Sequence, residues 1–205
     1  MSQYADYDIF SSYYKNNSWG STESSSGPGS ELRNAQALIS ELPSLIEKWH
    51  IKSILDIPCG DWNWMRHVDR RGAAYIGADI VPELINDNNK KYPGIDFRII
   101  NASYDPLPEV DLILCRDLLI HLPYSEISNI FRNLKKSNSK YLLTTTFMRK
   151  AQPNLDIVIG GARRINLTTP PFDLPSPEEI IVEENTERGG ADKCMALWKI
   201  SNIPV

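Results

Sequence analysis

Acidic side chains stand around a single glycine in the first third of the chain. Asp56 ends a short apolar run, and Asp61 follows the sharp turn that contains Gly60. Because glycine has no side chain, a ligand can lie against the backbone at this turn, and the chain can bend steeply. Carboxylates there suit a ligand that carries hydroxyl or ammonium donors, and they repel a pyrophosphate. The turn also lacks the repeated glycines of a dinucleotide fingerprint and the lysine of a P-loop.

A further acid, Asp79, ends the second apolar run, 23 residues after Asp56. An acid at this place in a parallel sheet can accept hydrogen bonds from both hydroxyls of a ribose. Capping of the next helix is the alternative for Asp79, and the neighbouring glycine turn favours the ribose interpretation. Asn101 ends the third apolar run, where its amide would either bond an adenine edge or serve an ordinary turn.

One histidine follows the fourth apolar run. His121 stands four residues after Asp117, which would place the two side chains on one face of a helix. A histidine pKa near neutrality suits a general base, so we predict that His121 takes a proton from a hydroxyl. Two alternatives stay open. Either His121 packs between Ile120 and Leu122, or Asp117 is itself the base or orients the imidazole.

Two segments outside the apolar runs carry the remaining candidates for substrate binding. The segment 1–30 is rich in serine, but its aromatic residues favour a lid or binding segment over a disordered leader, and its candidates are Trp19 and Ser26. The long loop after the fifth apolar run is either functional or an edge cover with solvated charges. Its candidates are polar residues that can bind hydroxyls, or a phosphate through the arginine: Asp156, Arg164 and Asn166.

Short apolar runs alternate with amphipathic stretches from residue 31 onward. This alternation predicts an α/β fold with a largely parallel sheet, and the last two runs predict an antiparallel hairpin because no helix separates them. The predicted strands are Ser53–Ile57, Ala74–Asp79, Asp96–Ile100, Val110–Cys115, Lys140–Phe147, Glu179–Glu183 and Met195–Ile200. The predicted helices are Leu38–Trp49, interrupted near Pro43, and Trp64–Val68, Pro82–Asn89 and Ser125–Leu134.

Length and composition describe one ordinary globular domain. The chain has 205 residues, 41% hydrophobic and 23% charged, and we assign residues 31–205 to a single domain. A net charge of −4 without a basic stripe argues against nucleic acid as a partner. No apolar run approaches the ~20 residues of a membrane span, and the N-terminus lacks the features of a signal peptide. We therefore expect a cytoplasmic protein, in the host cytoplasm if its source is viral.

The cysteines and acids give no sign of a metal centre. Cys59, Cys115 and Cys194 stand far apart, without the paired spacing of a zinc site. The acids around His121 could supply metal ligands, but their spacing is not diagnostic, and we predict no bound metal.

Three stretches together resemble the motifs of class I S-adenosylmethionine-dependent methyltransferases. They are residues 54–61, 75–80 and 111–122, which occur in the order that the family shows. The resemblance implies S-adenosylmethionine as the cofactor and a Rossmann-like, seven-stranded, mostly parallel sheet with helices on both faces. The first turn departs from many members because it carries one glycine, which bears on the methionine end of the cofactor. The cofactor-binding residues that the resemblance implies are Asp56, Pro58, Cys59, Gly60, Asp61, Trp64, Asp79, Ile80, Asn101, Ala102, Cys115 and Arg116.

The N-terminal flank narrows this resemblance. Residues 14–24 and 26–30 are similar to the start of a small methyltransferase group found in bacteria and large DNA viruses. This similarity implies a sugar hydroxyl as the acceptor, for example on a deoxyhexose such as rhamnose, and glycosyltransferases of the same pathway as partners. The alternatives are a small-molecule N- or carboxyl-methyltransferase and a non-catalytic cofactor-binding scaffold, with an NAD enzyme disfavoured by the acidic turn.

Overall fold

The computed structural model describes residues 5–148, 153–183 and 192–204. Its helices are α1 (Ala5–Lys15), α2 (Leu32–Lys48), α3 (Pro82–Lys91) and α4 (Tyr124–Lys136). Its strands are β1 (Ser53–Asp56), β2 (Ala74–Asp79), β3 (Asp96–Ile99), β4 (Leu112–Cys115), β5 (Tyr141–Phe147), β6 (Glu179–Val182) and β7 (Lys193–Lys199).

The strands form one seven-stranded sheet in the order β3-β2-β1-β4-β5-β7-β6. The first five strands in this order, β3, β2, β1, β4 and β5, run parallel to one another. Strand β7 pairs antiparallel with both β5 and β6. The predicted Rossmann-like sheet and its C-terminal hairpin are therefore confirmed. Strand order reverses between β1 and β4, so a crevice opens where the carboxyl ends of these two strands part.

Helices cover both faces of the sheet because successive strand residues point to opposite sides. Ile54 packs in a core cluster with α2 and α3, while its neighbour Leu55 packs in a second cluster with α4. Both side chains are fully buried, which stabilises the fold by roughly 1.5–3 kcal/mol for each. The two apolar layers fix the sheet, and the sheet fixes the positions at which its strands end.

Two helix predictions were wrong in detail. Helix α2 continues through Pro43, which lies inside it. Proline removes one backbone hydrogen bond, but Leu42 and Leu45 on either side of it are buried in the core and hold the helix together. The stretch from Trp64 forms only a short 3₁₀ turn over Met65–His67, since too few residues are available before β2 begins.

The N-terminal part packs against the body of the chain. Helix α1 is tied to α3 by the ion pair of Lys15 with Glu83 at 2.6 Å and by a 2.9 Å hydrogen bond from the Tyr14 hydroxyl to Asp87. Ahead of α2, the carboxylate of Glu23 accepts the first free backbone N–H of that helix. In the part of the chain that the structure describes, no helix is long and apolar enough to cross a bilayer.

Candidate active site

A cavity of about 610 Å³ lies at the carboxyl ends of β1, β2 and β4. A second pocket of about 40 Å³ adjoins it, and Phe10, Pro58 and Ile80 line both. The larger cavity is also lined by residues that are far apart in sequence: Tyr14, Trp19, Gly20, Ser25–Glu31, Arg33, Asn34, Cys59, Gly60, Trp64, Asp79, Val81, Leu84, Arg116–Leu118, Ile120, His121, Ala162 and Lys193. The N-terminal segment and the sheet therefore build this cavity together.

The glycine turn after β1 is held from three sides. Gly60 has φ +53°, and its N–H donates to Oδ2 of Asp79 at 3.2 Å. Its carbonyl accepts a 2.8 Å hydrogen bond from the side chain of Asn88 in α3. A Cβ atom on Gly60 would overlap the Ser26 hydroxyl, so the N-terminal segment lies directly on this turn. Both the backbone conformation and the close approach require glycine here.

Asp79 is buried at the cavity wall. Its carboxylate accepts the backbone N–H groups of Gly60 and Val81, and burial raises its pKa to about 6. Its remaining lone pairs can accept hydrogen bonds from a vicinal pair of hydroxyls in the cavity. The adjoining small pocket is mostly apolar, as an adenine requires, and its wall includes Pro58, Ile80, Asn101 and Ala102. The Asp79 carboxylate and the apolar wall beside it fit the ribose and the adenine of S-adenosylmethionine.

The other two acids, Asp56 and Asp61, do not line the cavity. Asp56 accepts a 2.7 Å hydrogen bond from the Tyr75 hydroxyl, and burial raises its pKa to about 7 even though that bond acts to lower it. Asp61 accepts hydrogen bonds from the Ser24 hydroxyl and from the Ser25 N–H, each at 2.9 Å. The expectation that both carboxylates surround a ligand is corrected, because neither lines the cavity: Asp56 binds the hydroxyl of Tyr75 in β2, and Asp61 binds the N-terminal segment.

Four charged side chains form a buried ionic cluster beside the cavity: Arg116, Asp117, Glu183 and Lys193. The Arg116 guanidinium pairs with Glu183 and lies 5.4 Å from the centre of the Trp64 ring. Lys193 lies 2.7 Å from Asp117 and 3.6 Å from Glu183. Two cations and two anions alternate, so each buried charge has an opposite partner.

The ionic cluster acts on Asp117 in a definite direction. Burial alone would raise the pKa of this carboxyl, but the charges of Lys193 and Arg116 outweigh burial and hold the pKa well below its usual range. A carboxylate held this strongly in its charged form is a poor proton acceptor. Asp117 is instead suited to accept a hydrogen bond, as it does from the Thr145 hydroxyl at 3.1 Å.

His121 has the opposite character. Its Nδ1 lies 2.7 Å from the carbonyl oxygen of Gly161, so Nδ1 carries the proton and Nε2 is left as the acceptor. Burial lowers the pKa of His121, although the bond to Gly161 and the charge of Asp117 act to raise it. A neutral imidazole with an unprotonated nitrogen is the form that a general base needs.

The helical relation predicted for these two residues was wrong. Asp117 has φ +56° and precedes the 3₁₀ turn Leu119–His121, so no continuous helix joins the pair. Both nevertheless line the cavity, because the chain folds back at the end of β4. The alternative that His121 packs in the apolar core is not supported, since its side chain lies at the cavity wall.

The predicted substrate residues divide into two groups. Trp19 and Ser26 line the cavity, and the Trp19 ring centre lies 4.7 Å from that of His121. Asp156 accepts the N–H of Tyr124 at the start of α4, and Arg164 lies over the Phe147 ring. Like Asp156 and Arg164, four further predicted residues lie outside the described cavity wall, and their contacts hold loops or strands instead: Asp56, Asp61, Cys115 and Asn166.

Sequence reasoning missed the partners from the C-terminal hairpin and from α1. Lys193 and Glu183 stand more than 60 residues beyond Arg116, and only strand pairing brings them to it. A charged residue directly before the apolar run Cys194–Trp198 of strand β7 was a signal that could have identified Lys193. Within the described residues, no group of three histidine, cysteine or acidic side chains is placed to hold a metal ion.

Comparison with known proteins agrees with this geometry. Residues 54–138 match the sequence model of a methyltransferase domain, and no curated protein matches the chain. The structure resembles magnesium protoporphyrin IX methyltransferase from Synechocystis with bound SAM, at 14% identity and a TM-score of 0.61, over 95% of this chain and 96% of that one. It also resembles a SAM-dependent methyltransferase from Leishmania major, at 14% identity and a TM-score of 0.68, over 94% and 83% of the two chains.

A third solved structure is that of human N-acetylserotonin methyltransferase in complex with SAM. It is 15% identical, with a TM-score of 0.57, and this chain covers 59% of its length while 94% of this chain is matched. These likenesses concern the fold. The family match identifies residues 54–138 as a methyltransferase domain, and the cofactor of this family is S-adenosylmethionine.

Proposed function

We propose that the protein transfers a methyl group from S-adenosylmethionine to a hydroxyl of a sugar or sugar conjugate. One observation carries this proposal: the neutral imidazole of His121 and the ring of Trp19 lie side by side in the cavity that also holds Asp79. A hydroxyl needs a base, and a pyranose packs well against an aromatic face. Asp79, which can accept hydrogen bonds from the ribose of the cofactor, lines the same cavity.

The cofactor supplies an electrophilic methyl carbon bonded to a sulfonium sulfur. Transfer forms a bond between the acceptor oxygen and that carbon and breaks the bond between carbon and sulfur. In our proposal, Nε2 of His121 takes the hydroxyl proton, which contributes roughly 10²- to 10⁴-fold in rate. The walls supply the remaining acceleration by aligning the reactants.

We assign the cofactor contacts by the position of each predicted residue. Asp79 takes the ribose hydroxyls. The adenine lies against the apolar wall of Pro58, Ile80 and Ala102, where the small pocket opens into the large cavity, and Asn101 stands at the edge of this wall. Around the methionine end we place residues of the larger cavity: Cys59, Gly60, Trp64 and Arg116. Asp56, Asp61 and Cys115 support these residues from behind.

The ionic cluster supports a polyhydroxylated acceptor. Asp117 can accept, and the Lys193 ammonium can donate, hydrogen bonds to neighbouring hydroxyls, and Ser26 adds a further hydroxyl to the wall. Segment 1–30 would then act as the binding lid of a single domain, 31–205. The proposal also carries forward two expectations: glycosyltransferases as partners, from the resemblance of residues 14–24 and 26–30, and a cytoplasmic location, from the composition of the sequence.

Carboxyl methylation is the second candidate. Lys193 and Arg116 lie in the same wall, and cations of this kind can hold a carboxylate acceptor, which needs no base. One solved structure of similar fold is named as a magnesium protoporphyrin IX methyltransferase. The two candidates differ in their dependence on His121 and in the product, because a methyl ester is hydrolysed by mild alkali and a methyl ether is not.

The experiment has two stages. Calorimetric titration with S-adenosylmethionine and S-adenosylhomocysteine, with NAD as the control, tests the cofactor. Transfer of a labelled methyl group onto a panel of deoxyhexosides, including rhamnosides, and onto hydroxy acids and amines tests the acceptor, followed by alkali treatment of the product. We expect an alkali-stable product from a sugar. Label transferred only to carboxylates or amines would refute the sugar assignment.

A further inference from the structure

His121 is held by contacts on opposite sides, and both lead to one residue of α1. On one side, the His121 ring packs against Trp19, whose ring centre lies 5.0 Å from that of Tyr13. On the other side, the imidazole donates to the carbonyl of Gly161. The Tyr13 hydroxyl donates a 3.2 Å hydrogen bond to the carbonyl of Gly160, the preceding residue in that turn. Tyr13 therefore contacts both supports of His121.

The turn at 160–161 lies between His121 and helix α1. On the His121 side, the Gly160 N–H donates to the carbonyl of His121 at 2.9 Å and the Arg163 N–H donates to that of Ile120 at 3.1 Å, while the Gly161 N–H closes the turn on the Val158 carbonyl at 3.0 Å. Gly160 has φ +79°, and a Cβ atom there would lie 2.7 Å from Ile9 and 2.9 Å from the Tyr13 hydroxyl. Helix α1 is thus pressed onto this turn so closely that only glycine fits. Helix α1 therefore packs directly on the turn that carries the Gly161 carbonyl.

We infer that Tyr13 and Trp19 are positioning residues that hold the His121 imidazole in one tautomer and one orientation. This inference rests on the proposed role of His121 as the base. Neither residue lies in the matched methyltransferase region 54–138, so the N-terminal segment supplies an orienting element that the matched region lacks. A base has full effect only when its free nitrogen faces the acceptor. A displacement of about 1 Å can cost roughly 100-fold in rate.

The tautomer of His121 gives a test that needs no acceptor. Nitrogen-15 NMR of the imidazole side chains distinguishes an Nδ1–H ring from a mixture of tautomers, and the His121→Gln variant identifies its signals. In the native protein we expect the Nδ1–H form. In Tyr13→Phe we expect a mixture and a His121 pKa that falls further, since the Gly161 bond acts to raise it. The other charged groups around the ring, Asp117, Lys193 and Arg163, are unchanged in this variant.

Tyr104→Phe is the matched control. It also removes a tyrosine hydroxyl that donates to another group, here Glu126 at 2.7 Å, but Tyr104 is not part of the cavity wall that contains His121. Its His121 signals should equal those of the native protein. If Tyr13→Phe unfolds the chain, Trp19→Phe keeps an aromatic ring and tests the other support. Native His121 signals in folded Tyr13→Phe and Trp19→Phe would overturn the inference.

Kinetics then separate positioning from structure. With a methylated acceptor in hand, Tyr13→Phe should lower kcat by roughly 10- to 100-fold and leave the affinity for S-adenosylhomocysteine unchanged. In the His121→Gln background the same change should have no further effect, because Tyr13 acts through His121. Equal losses in both backgrounds would refute positioning. A His121→Gln variant with full activity would refute the base itself, whereas a failed sugar panel leaves the NMR result standing.

Discussion

The ammonium group of Lys193 lies 2.7 Å from Oδ2 of Asp117, and this ion pair separates the two candidate bases. A carboxylate that neutralises a buried lysine loses that partner when it takes a proton. Among the described residues, no ion pair involves Nε2 of His121, and burial already favours the neutral form of this side chain. In the proposed reaction, Asp117 therefore keeps a fixed charge in the cavity wall and His121 exchanges the proton.

The first prediction concerns the stability of the ionic cluster. Arg116→Met leaves Glu183 buried without its strongest partner, so we expect a loss of about 3–5 kcal/mol in the free energy of unfolding. Arg98→Met removes a comparable ion pair, with Asp96, from the exposed strand β3 and should cost about 0–1 kcal/mol. Urea unfolding of both variants measures the difference. Equal losses would mean that the buried cluster does not stabilise the fold.

The second prediction concerns the pH dependence of methyl transfer. The neutral form of His121 is the active one, so the rate should rise with pH through the His121 pKa and then level off. Because that pKa lies below the ordinary 6.5, the acidic limb should lie below pH 6.5. His121→Gln should lower kcat by roughly 10²- to 10⁴-fold and abolish this limb. An unchanged acidic limb in the variant would assign it to another group.

The fold could be predicted because its signals are local. Short apolar runs separated by turns and amphipathic stretches require a sheet that is covered on both faces, and the missing helix before β7 requires a hairpin. The continuity of α2 could not be predicted, because Pro43 is unfavourable locally and only its burial within the assembled core stabilises it. Local propensity failed where tertiary packing was stronger.

The place of a residue in the cavity wall could be predicted only where its position at the end of a strand was sufficient to determine it. Asp79 follows directly from its place at the end of β2. Asp56 looked equivalent by the same reasoning. However, it accepts a hydrogen bond from the Tyr75 hydroxyl, which comes from the neighbouring strand. Likewise, the pairing of Lys193 with Asp117 joins residues 76 positions apart, and no spacing in the sequence indicates it.

The third prediction separates those two acids by their effect on cofactor binding. Asp79→Asn removes the charge from the hydrogen bonds to a ribose, so the Kd for S-adenosylhomocysteine should rise roughly 10- to 100-fold. Asp56→Asn keeps an oxygen that Tyr75 can still bond, and its Kd should equal that of the native protein. Calorimetric titration above pH 7.5 measures both. A larger effect from Asp56→Asn would place that residue at the ligand.

The fourth prediction concerns stability against pH without cofactor. Burial raises the pKa of Asp56 from 3.8 to about 7 and that of Asp79 to about 6, so between pH 4 and pH 7 the folded chain binds more protons than the unfolded chain. Their contribution to stability is present at low pH and is lost as pH rises, by about 1.4 kcal/mol for each unit of pKa difference. Asp56→Asn should therefore gain stability relative to the native protein as pH rises from 4 to 8. A constant difference in urea unfolding across this range would contradict the prediction.

The last prediction tests whether the N-terminal segment lies on the glycine turn. Gly60→Ala places a methyl group at φ +53° and against Ser26, so it should both strain the backbone, by about 1–2 kcal/mol, and push the segment away. Ser26→Gly removes the side chain that the new methyl group would overlap. The double variant should therefore recover the part of the stability loss that comes from this overlap, but not the part that comes from backbone strain. Thermal unfolding gives the stability of each variant, and limited proteolysis reports whether residues 1–30 are released. Additive losses in the double variant would show that Ser26 and Gly60 are not in contact, because residues in contact couple and distant ones add.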